Sequence, residues 1–467
     1  MKLTDAQKIV KENIPEDVFR IAEKFIKNNY KIYLVGGVIR DILLGREYNR
    51  SEIDLATNAK PGEVKKIFKR VIPTGIKHGT VTVIRNNVNF EITTFRLDGK
   101  YSDGRHPDEV EYATTIEEDL KRRDFTINAF AFDLQHQILI DLFNGLDDLK
   151  NKIIRTIGDP DERFREDGLR LMRAIRFASV LGFKIDENTY KSISKNIDML
   201  RKVSMERIRD EFVKIIQSDK PSEGIELLRK TEVLRVIMPE LLTGFGITQN
   251  KFHKYDVYYH NLFTCDVVPK ENLAVRLAAL LHDISKPYTK RIPEGKKCDE
   301  ATFYNHEVIG AIVGKKILKR LKFSNAIIDK VTKLIKYHMF YYTDEWTDSA
   351  VRRFIRKIGL DLIPELFILR ECDRIGSGKK DGNSYHLKKL QSHIDKILEE
   401  ENAFSLKDLK VNGYDVMKIK NIPPSPNVGK ILNYLLEIVL ENPEKNKREE
   451  LIKLIEEYPL EDDKRIN

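Results

Sequence analysis

The sequence predicts an α+β protein, in which a small head with a mixed sheet is followed by regions that are helical to the end of the chain. From residue 31 to about 150, short β-rich runs alternate with segments of helical spacing, whereas from about 151 apolar residues recur every three or four positions. A chain of 467 residues is long enough for several domains, each with its own core. We expect four regions: a head at 1–150, a helical neck at 151–245, a second helical domain at 246–400 and a helical tail at 401–467.

Composition and charge favour a protein of the cell interior. The chain is 41% hydrophobic and 33% charged, no apolar run reaches the roughly 18 residues that span a bilayer, and the N-terminus is too charged for a signal peptide. Three cysteines without CxxC spacing argue against a disulfide framework or a zinc knuckle. We therefore expect a soluble, cytoplasmic protein with no membrane partner. A net charge of +9 is compatible with a polyanionic partner, although many basic proteins bind no nucleic acid.

The head is organised around a glycine pair. Lys31–Val35 has the composition of a buried strand, Gly36 and Gly37 permit a sharp turn, and Val38–Leu44 has helical apolar spacing. A helix that begins on glycines lets a phosphate approach its unpaired N–H groups, and Arg40 adds a permanent cation. The alternative is an ordinary strand-to-helix connection, which such a pair often makes.

Two carboxylates follow this helix. Glu52 and Asp54 are two positions apart, so on a strand both side chains point to one face, as metal ions bound to a nucleotide would require. An acidic pair of this kind can also be merely solvated.

Together these features carry a resemblance to a known family. The string GGVIRD followed by EID resembles the head-domain signature of class II tRNA nucleotidyltransferases and bacterial poly(A) polymerases. The resemblance implies a head fold similar to that of DNA polymerase β, with Mg²⁺ held by Glu52 and Asp54. The sequence departs from the family pattern at Glu52, where aspartate is usual, and in a slightly longer loop at 46–51.

A third carboxylate lies in a predicted hairpin. Residues 79–96 form two β-rich runs joined at Arg85–Asn87, and Glu91 lies in the second run. A lone glutamate there would ordinarily face solvent. The resemblance implies that Glu91 is the third catalytic carboxylate, on the strand next to that of Glu52 and Asp54.

Two further head segments resemble the family. The polar segment 97–111 resembles its mobile loop, a match that favours CCA addition. The next string, RRDFTINAFAF, places cations, an acid and an amide at the start of what we predict to be an apolar helix, which suits triphosphate and ribose contacts. A surface charge cluster is the alternative. The resemblance implies nucleotide binding by Arg123, Asp124 and Asn128, together with Gly36, Gly37 and Arg40.

The neck carries the motif that would choose the nucleotide. Asp167 and Arg170 are predicted to share one helix face, where an acceptor and a fork of donors can meet a base edge, with Glu166 orienting Arg170. A solvated ion pair between Glu166 and Arg170 explains the same spacing. The resemblance implies an amino-acid template that selects CTP and ATP. We assign Arg173 and Arg176 to nucleotide binding as well.

Residues 250–380 carry a separate set of histidines and aspartates on otherwise apolar helical segments. A single buried histidine is usually a satisfied core residue, but this ordered set resembles the HD-domain metal phosphohydrolases. The resemblance implies a divalent transition metal, with a first ion held by four residues and a second by two. The first four are His260, His282, Asp283 and Asp373, and the second two are His306 and His338. Whether the domain hydrolyses a substrate or is a scaffold stays open.

The tail resembles the C-terminal unit of tRNA nucleotidyltransferases that carry an HD domain. It reads as a Pro-broken turn leading into an amphipathic helix, which begins near Val428–Lys430 and could contact RNA. The combined motifs predict an enzyme that adds CCA, or its terminal A, to tRNA from CTP and ATP and releases pyrophosphate. The alternatives are a bacterial poly(A) polymerase and an HD-type phosphohydrolase whose head only binds nucleotide.

Overall fold

The computed structural model describes residues 2–76, 79–97, 111–379, 384–399 and 405–459. The chain divides into two compact units: unit one is Met1–Leu242 with Arg320–Phe323, and unit two is Thr243–Lys319 with Ser324–Asn467. The finer division into four regions stays a prediction. Most of the predicted loop at 97–111 lies outside the described residues.

A mixed sheet forms the head of unit one. Its described strands run in the order β3-β4-β5-β2-β1-β6-β7, with β2 and β5 parallel and the other neighbours antiparallel. The predicted α+β class is therefore confirmed. The strands are β1 Ile32–Val35, β2 Glu52–Thr57, β3 Val71–Gly75, β4 Thr80–Arg85, β5 Val88–Thr94, β6 Phe130–Asp133 and β7 Ile138–Asp141.

The hairpin between β4 and β5 lies where its turn residues predict it. Asn86 and Asn87 have φ of 49° and 60°, and the strands pair from Arg85 and Val88 onward. A two-residue turn with both central residues at positive φ matches the twist of the strands, and asparagine tolerates that conformation. This turn sets the β4–β5 register, in which Glu91 pairs with Thr82, while on the other side of β5 the parallel pairing with β2 brings Glu91 opposite Asp54.

The helix predicted after Asn128 is wrong. Thr126–Asn128 is a single 3₁₀ turn, and Phe130–Asp133 is strand β6, which lies between β1 and β7. Phe130, Ala131 and Phe132 are all buried. A short apolar run of this kind is typical of a central strand and cannot be told from a buried helix by periodicity.

The remaining elements of unit one are helical apart from a short parallel strand pair, β8 Ile153–Ile154 and β9 Lys184–Ile185. The helices that pack against the sheet are α1 Leu3–Asn13, α2 Glu16–Lys27, α3 Gly37–Leu43, α4 Pro61–Ile67, α5 Ile116–Lys121 and α6 Gly145–Asn151. The neck follows with α7 Pro160–Glu166, α8 Leu169–Leu181, α9 Glu187–Lys195, α10 Met205–Ile216, α11 Pro221–Lys230, α12 Val233–Ile237 and α13 Pro239–Leu242.

Unit two is built mainly of helices, with one isolated β-bridge, Arg291 to Thr302, among its described residues. α14 packs against α15 and α20, and α15 packs against α18. No helix of the described chain is both long and apolar enough to cross a bilayer. The helices are α14 Val257–Val267, α15 Leu273–Leu281, α16 Lys286–Thr289, α17 His306–Arg320, α18 Asn325–Tyr337, α19 Asp348–Ile358, α20 Ile363–Gly376, α21 Tyr385–Glu399, α22 Gly413–Lys420, α23 Pro426–Glu441 and α24 Arg448–Glu457.

Candidate active site and histidine cluster

The glycine turn of unit one has both a backbone and a steric reason for glycine. Gly36 precedes α3 with φ 81°, a conformation that L side chains rarely adopt. A Cβ at Gly36 would lie 3.0 Å from Asp54 Oδ2 and 3.6 Å from Arg123 Nη1. The turn therefore lies directly against the acidic strand.

The three predicted catalytic carboxylates converge on β2 and β5. Asp54 is the cross-strand partner of Glu91, and Glu52 lies two positions from Asp54 on the same strand. Burial raises the pKa of Asp54, while Arg123 opposes the shift and Glu52 adds to it. Burial, with the charges of Asp54 and Glu52, also raises the pKa of Glu91. Carboxylates held this close fit a hard divalent cation, which takes oxygen ligands and offsets their repulsion.

A polar cavity of about 480 Å³ opens beside Asp54. Glu52 and Glu91 are not among its lining residues, whereas every predicted nucleotide-binding residue is. Two further residues of the lining, Arg96 and Phe177, were not assigned to the site from the sequence, whereas Arg122 belongs to the cation cluster that the sequence suggested for triphosphate contacts. The predicted residues in the lining are Gly36, Gly37, Arg40, Arg123, Asp124, Asn128, Asp167, Arg170, Arg173 and Arg176.

A chain of hydrogen bonds joins the glycine turn to α8. Arg40 Nη1 donates to Asn128 Oδ1 at 2.6 Å, and Asn128 Nδ2 donates to Asp124 Oδ1 at 3.1 Å. The other oxygen of Asp124 accepts from Arg173 Nε at 2.7 Å. Burial alone would raise the pKa of Asp124, but Arg173 and Asn128 outweigh it and lower the pKa to about 2. The ion pair is thus kept charged inside the protein.

The arginines after α5 are held by a buried acid that sequence reasoning missed. Asp119 is 1% exposed; its Oδ1 accepts from Arg122 at 2.7 and 2.9 Å, and its Oδ2 accepts from Arg123 at 3.2 Å. Arg123 Nε is buried and has no hydrogen-bond partner in the described part of the chain. A buried donor of this kind is costly unless it meets an acceptor, such as a ligand oxygen.

Asp167 and Arg170 do not share one helix, and that prediction is corrected. α7 ends at Glu166, Asp167 is extended with φ −142° and ψ 107°, and α8 begins at Leu169. The break has a local cause, because Asp167 Oδ1 accepts from the Leu169 backbone N–H at 3.0 Å and so caps the new helix. Asp167 and Arg170 nevertheless line the same cavity.

Neighbouring elements hold both members of this pair. Arg170 donates to Glu166, as its spacing predicts, and also to the carbonyl oxygen of Arg122 at 3.1 Å. Asp167 accepts from Arg207 Nη2 at 2.8 Å, and Arg207 lies on α10. One turn later on α10, Glu211 accepts from Arg176 Nε at 2.8 Å. Sequence reasoning missed Arg207 and Glu211, because opposite charges four apart also describe a solvated helix face.

Unit two brings all of the predicted histidine and aspartate ligands into one buried cluster. The Nε2 atoms of His260 and His282 lie 3.0 Å apart, and those of His306 and His338 lie 3.3 Å apart. The carboxylates lie between and beside the rings: His260 Nε2 is 3.2 Å from Asp373 Oδ1, and His306 Nε2 is 3.3 Å from Asp283 Oδ1. A cavity of about 370 Å³ opens onto the cluster.

Backbone carbonyls fix the orientation of three of these rings. The Nδ1 atoms of His282, His306 and His338 lie 2.8, 2.6 and 2.7 Å from carbonyl oxygens of residues 279, 303 and 335. A carbonyl only accepts, so each Nδ1 carries its hydrogen and a neutral ring presents a lone pair at Nε2. This is the arrangement in which a histidine binds a metal.

The buried carboxylates of Asp283 and Asp373 make the centre of the cluster favourable for a positive charge. Neither oxygen of Asp283 accepts a hydrogen bond from the described residues, although Lys286 Nζ lies 2.6 Å from Oδ2. Burial lowers the pKa of His282, but Asp283 and Asp373 outweigh it and raise the pKa to about 10. Burial and His282 lower the pKa of His338 to about 3. The two carboxylates thus favour a positive charge between the rings, which a bound metal ion would supply.

His253 also belongs to this cluster, and sequence reasoning missed it. The ring lines the cavity, and its centroid is 4.9 Å from that of His260. Burial, with the nearby charge of Lys286, lowers the pKa of His253 to about 3, so the ring is neutral at neutral pH. His253 lies in the loop before α14, whereas the sequence criterion was a histidine on an apolar helix.

Three family models match the chain in order. They are the poly(A) polymerase head domain at residues 32–155, the probable RNA and SrmB-binding site of polymerase A at 182–244, and tRNA nucleotidyltransferase domain 2 (putative) at 313–455. Nucleotidyltransferases of this family need divalent metal ions.

Relatives match over nearly the whole chain. The CCA-adding enzyme of Lactococcus lactis subsp. lactis is 34% identical over 94% of this chain and 96% of its own length, and that of Enterococcus faecalis is 31% identical over 97% of each. A shorter match, to the CCA-adding enzyme of Ligilactobacillus salivarius, is 46% identical over 49% of this chain; here the chain spans about half of the relative, 56% of its length.

A solved structure agrees with these relatives. The Bacillus stearothermophilus CCA-adding enzyme, crystallised in complex with CTP, superposes with a TM-score of 0.68 at 27% identity, over 94% of this chain and 95% of the other. The Thermotoga maritima CCA-adding enzyme, complexed with tRNA, shares the fold with a TM-score of 0.53 at 20% identity, over 96% of this chain and 98% of the other. Since the head model and relatives above 30% identity over nearly full length agree, this chain belongs to the CCA-adding enzymes, the tRNA nucleotidyltransferases with a poly(A) polymerase head domain.

Proposed function

We propose that this protein adds CCA, or its terminal A, to the 3′ end of tRNA, using CTP and ATP and releasing pyrophosphate. The observation that carries the proposal is the cavity of unit one, which places Asp54, the arginines beside it and the Asp167/Arg170 pair around one space. Such a space suits a nucleoside triphosphate, because it offers cations for phosphates and a mixed donor and acceptor pair for a base. Since tRNA, CTP and ATP are together in the cytoplasm, we propose that the enzyme acts there.

The phosphate end of the nucleotide would lie toward the glycine turn. Gly36 and Gly37 let phosphates approach the backbone, while Arg40 and Arg123 supply charge. Asp124 and Asn128 suit the ribose, which offers hydroxyl donors and acceptors. These contacts would hold the α-phosphate where the tRNA 3′-hydroxyl can attack it.

The carboxylates Glu52, Asp54 and Glu91 would hold Mg²⁺, because their convergence and raised pKa values fit a hard cation. Bound Mg²⁺ supplies charge stabilisation for the attacking and leaving oxygens of an in-line displacement.

Base selection would rest on Asp167 and Arg170, with Arg173 and Arg176 beside them. An aspartate accepts from the exocyclic amino group that cytosine and adenine share, and an arginine donates to their ring acceptors. Uracil and guanine present the opposite pattern at the corresponding position, which gives a reason for rejecting them.

The experiment is addition of labelled CTP or ATP, with Mg²⁺, to tRNA lacking its 3′ end, followed by sequencing of the products. Addition of CCA, or of a single A to tRNA ending in CC, supports the proposal. Long A tails would favour the poly(A) polymerase alternative. Absence of any product with an intact, folded protein would contradict the proposed transferase function.

The cluster of unit two favours a second candidate function. We propose that His260, His282, Asp283 and Asp373 hold a divalent transition metal, that His306 and His338 complete a second ion site, and that a phosphate ester is hydrolysed there. Convergent ring nitrogens, with the buried carboxylate of Asp283 beside them, support this assignment.

The double variant His282→Ala with Asp283→Ala tests this candidate. It should abolish phosphatase or phosphodiesterase activity measured with Mn²⁺, Ni²⁺ or Fe²⁺, and leave nucleotide addition largely intact. Loss of both activities in a variant that stays folded by circular dichroism would argue for a shared or structural site instead.

A further inference from the structure

His253 lies on the cavity side of the histidine cluster. Its ring lines the cavity, whereas His260, against which it packs edge to face, is fully buried behind it. One ring nitrogen of His253 lies within 4.8 Å of ligand atoms of both His260 and Asp283. That limit admits two ligands of a single ion, since metal–ligand distances of about 2.0–2.2 Å let two ligand atoms of one ion lie up to roughly 4.4 Å apart.

The protonation of the His253 ring can be read from Asn250. The Oδ1 atom of Asn250 accepts from the backbone N–H of Phe252 at 3.2 Å, and because an N–H only donates, that side-chain atom must be the oxygen. The same oxygen is 3.0 Å from His253 Nδ1. Nδ1 therefore carries the hydrogen, and the lone pair of the neutral ring is on Nε2.

Asn250 thus plays for His253 the part that backbone carbonyls play for His282, His306 and His338. In each case an oxygen behind the ring binds Nδ1–H and leaves Nε2 able to coordinate. Such supporting contacts fix the orientation and the tautomer of metal-binding histidines.

We propose that His253 is a further ligand of the ion held by His260 and Asp283, and that Asn250 is its positioning residue. This inference rests on the proposed metal function of the cluster. With His282 and Asp373, the ion then has more than the four protein ligands that suit a tetrahedral zinc site. The site should accordingly prefer metals that accept five or six ligands, such as Mn²⁺, Fe²⁺, Co²⁺ or Ni²⁺.

The test is Co²⁺ binding to the full-length chain, followed by calorimetry and by visible absorption, which intensifies when cobalt becomes four-coordinate. All proteins carry Asp54→Asn, so that a head carboxylate is removed and bound cobalt reports the cluster. His253→Ala should weaken Co²⁺ binding at least about 10-fold, since loss of a direct ligand costs no less than loss of an outer-shell partner, and should intensify the visible band. His386→Ala, at an exposed histidine elsewhere in unit two, is the matched control and should change neither quantity.

Two variants at Asn250 test the positioning role. Asn250→Ala should lose part of the same affinity, because Nδ1–H loses its acceptor. Asn250→Asp should retain it, because a carboxylate still accepts from both Nδ1–H and the Phe252 N–H. A purely structural role for Asn250 would not move the cobalt spectrum.

The outcomes separate this inference from the function on which it rests. If the parent binds no cobalt at the cluster, the metal function and the inference fail together. If the parent binds cobalt and His253→Ala matches it in affinity and spectrum, the ligand role of His253 is overturned while the metal function stands.

Discussion

Asp54 lies against the backbone of Gly36, so closely that a Cβ on Gly36 would come within 3.0 Å of Asp54 Oδ2. Gly36 also has φ 81°, and Asp54 is the cross-strand partner of Glu91. A side chain at residue 36 would therefore displace the Asp54 carboxylate, which lies between the glycine turn and Glu91. The glycine is explained by its neighbour as much as by its own conformation.

Gly36→Ala should accordingly reduce nucleotide addition about a hundredfold, because displacement of a positioned group by about 1 Å costs that much. The matched control is Gly45→Ala, where φ is 63° but nothing lies within 4 Å of an added Cβ. A positive φ costs an L side chain roughly 1–2 kcal/mol at Gly45, and Gly36→Ala carries a larger strain, on the order of 3 kcal/mol, because its ψ of −152° lies in a region essentially confined to glycine. Single-turnover addition should fall only in Gly36→Ala; equal losses in both would mean that backbone strain, rather than Asp54, is responsible.

Arg170→Ala should relax nucleotide choice before it abolishes chemistry. Arg170 is held by Glu166 and by the carbonyl oxygen of Arg122, so its guanidinium is aimed before a base arrives. Without it, we expect the preference for CTP and ATP over UTP and GTP to fall at least about tenfold, since an arginine paired with a base edge contributes roughly 1–3 kcal/mol of discrimination. Competition assays with all four nucleotides measure the ratio. Arg201→Ala, an exposed change in the same unit, should leave it intact, and an unchanged ratio in Arg170→Ala would show the template assignment to be wrong.

Asp124→Asn should destabilise unit one in a pH-dependent way. The pKa of Asp124 is lowered from 3.8 to about 2, so its charged form contributes stability that is fully present above about pH 4 and is lost as pH falls toward 2. A shift of this size corresponds to roughly 2.5 kcal/mol, at about 1.36 kcal/mol per unit. Urea unfolding at pH 7 should show a deficit of that order in Asp124→Asn, and the deficit should shrink at pH 3.

The control for this experiment is Asp198→Asn, whose side chain is 78% exposed and pairs with Arg201 on the surface. An exposed pair contributes little, so its change should stay below about 1 kcal/mol at both pH values. A deficit in Asp124→Asn that does not vary with pH would contradict the linkage.

The sequence predicted best where local chemistry decides the structure. The turn at Asn86–Asn87 follows from the tolerance of asparagine for positive φ, and with it comes the antiparallel pairing of β4 with β5, the strand that carries Glu91. The strand at Phe130–Phe132 was assigned to a helix, because a fully buried run shows no period and only the neighbouring strands reveal its type.

The sequence did not reveal the residues that position other side chains of the cavity. Asp119, Arg207 and Glu211 each carry a charge on a helix, the commonest pattern of a solvated surface, and only tertiary packing places them behind the nucleotide cavity. The sequence did not predict His253 for a related reason: a histidine in a loop lies outside the apolar helical pattern that identified the other histidines.

Glu52 is where this chain departs from the family pattern, and its setting makes the departure testable. Glu52 begins β2, is exposed, and lies opposite Asn89, while the preceding loop is tied down by Tyr48 Oη donating to the Asn13 carbonyl at 3.0 Å. A tethered loop gives the strand little freedom to shift. The additional methylene of glutamate should therefore move the carboxylate rather than the backbone.

Glu52→Asp should raise the rate constant of addition in Mg²⁺ about 10- to 100-fold, with little change in nucleotide affinity. Mg²⁺ demands near-octahedral geometry, so a ligand displaced by about 1 Å costs it most, whereas the looser shell of Mn²⁺ tolerates the displacement. The parent should accordingly be slow in Mg²⁺ and partly recovered in Mn²⁺, and the gain from Glu52→Asp should be smaller in Mn²⁺. Single-turnover addition to tRNA lacking its terminal A, with parent and variant in each metal, measures these rates. A variant no faster than the parent in Mg²⁺ would mean that the loop before β2 has already adapted the site to glutamate.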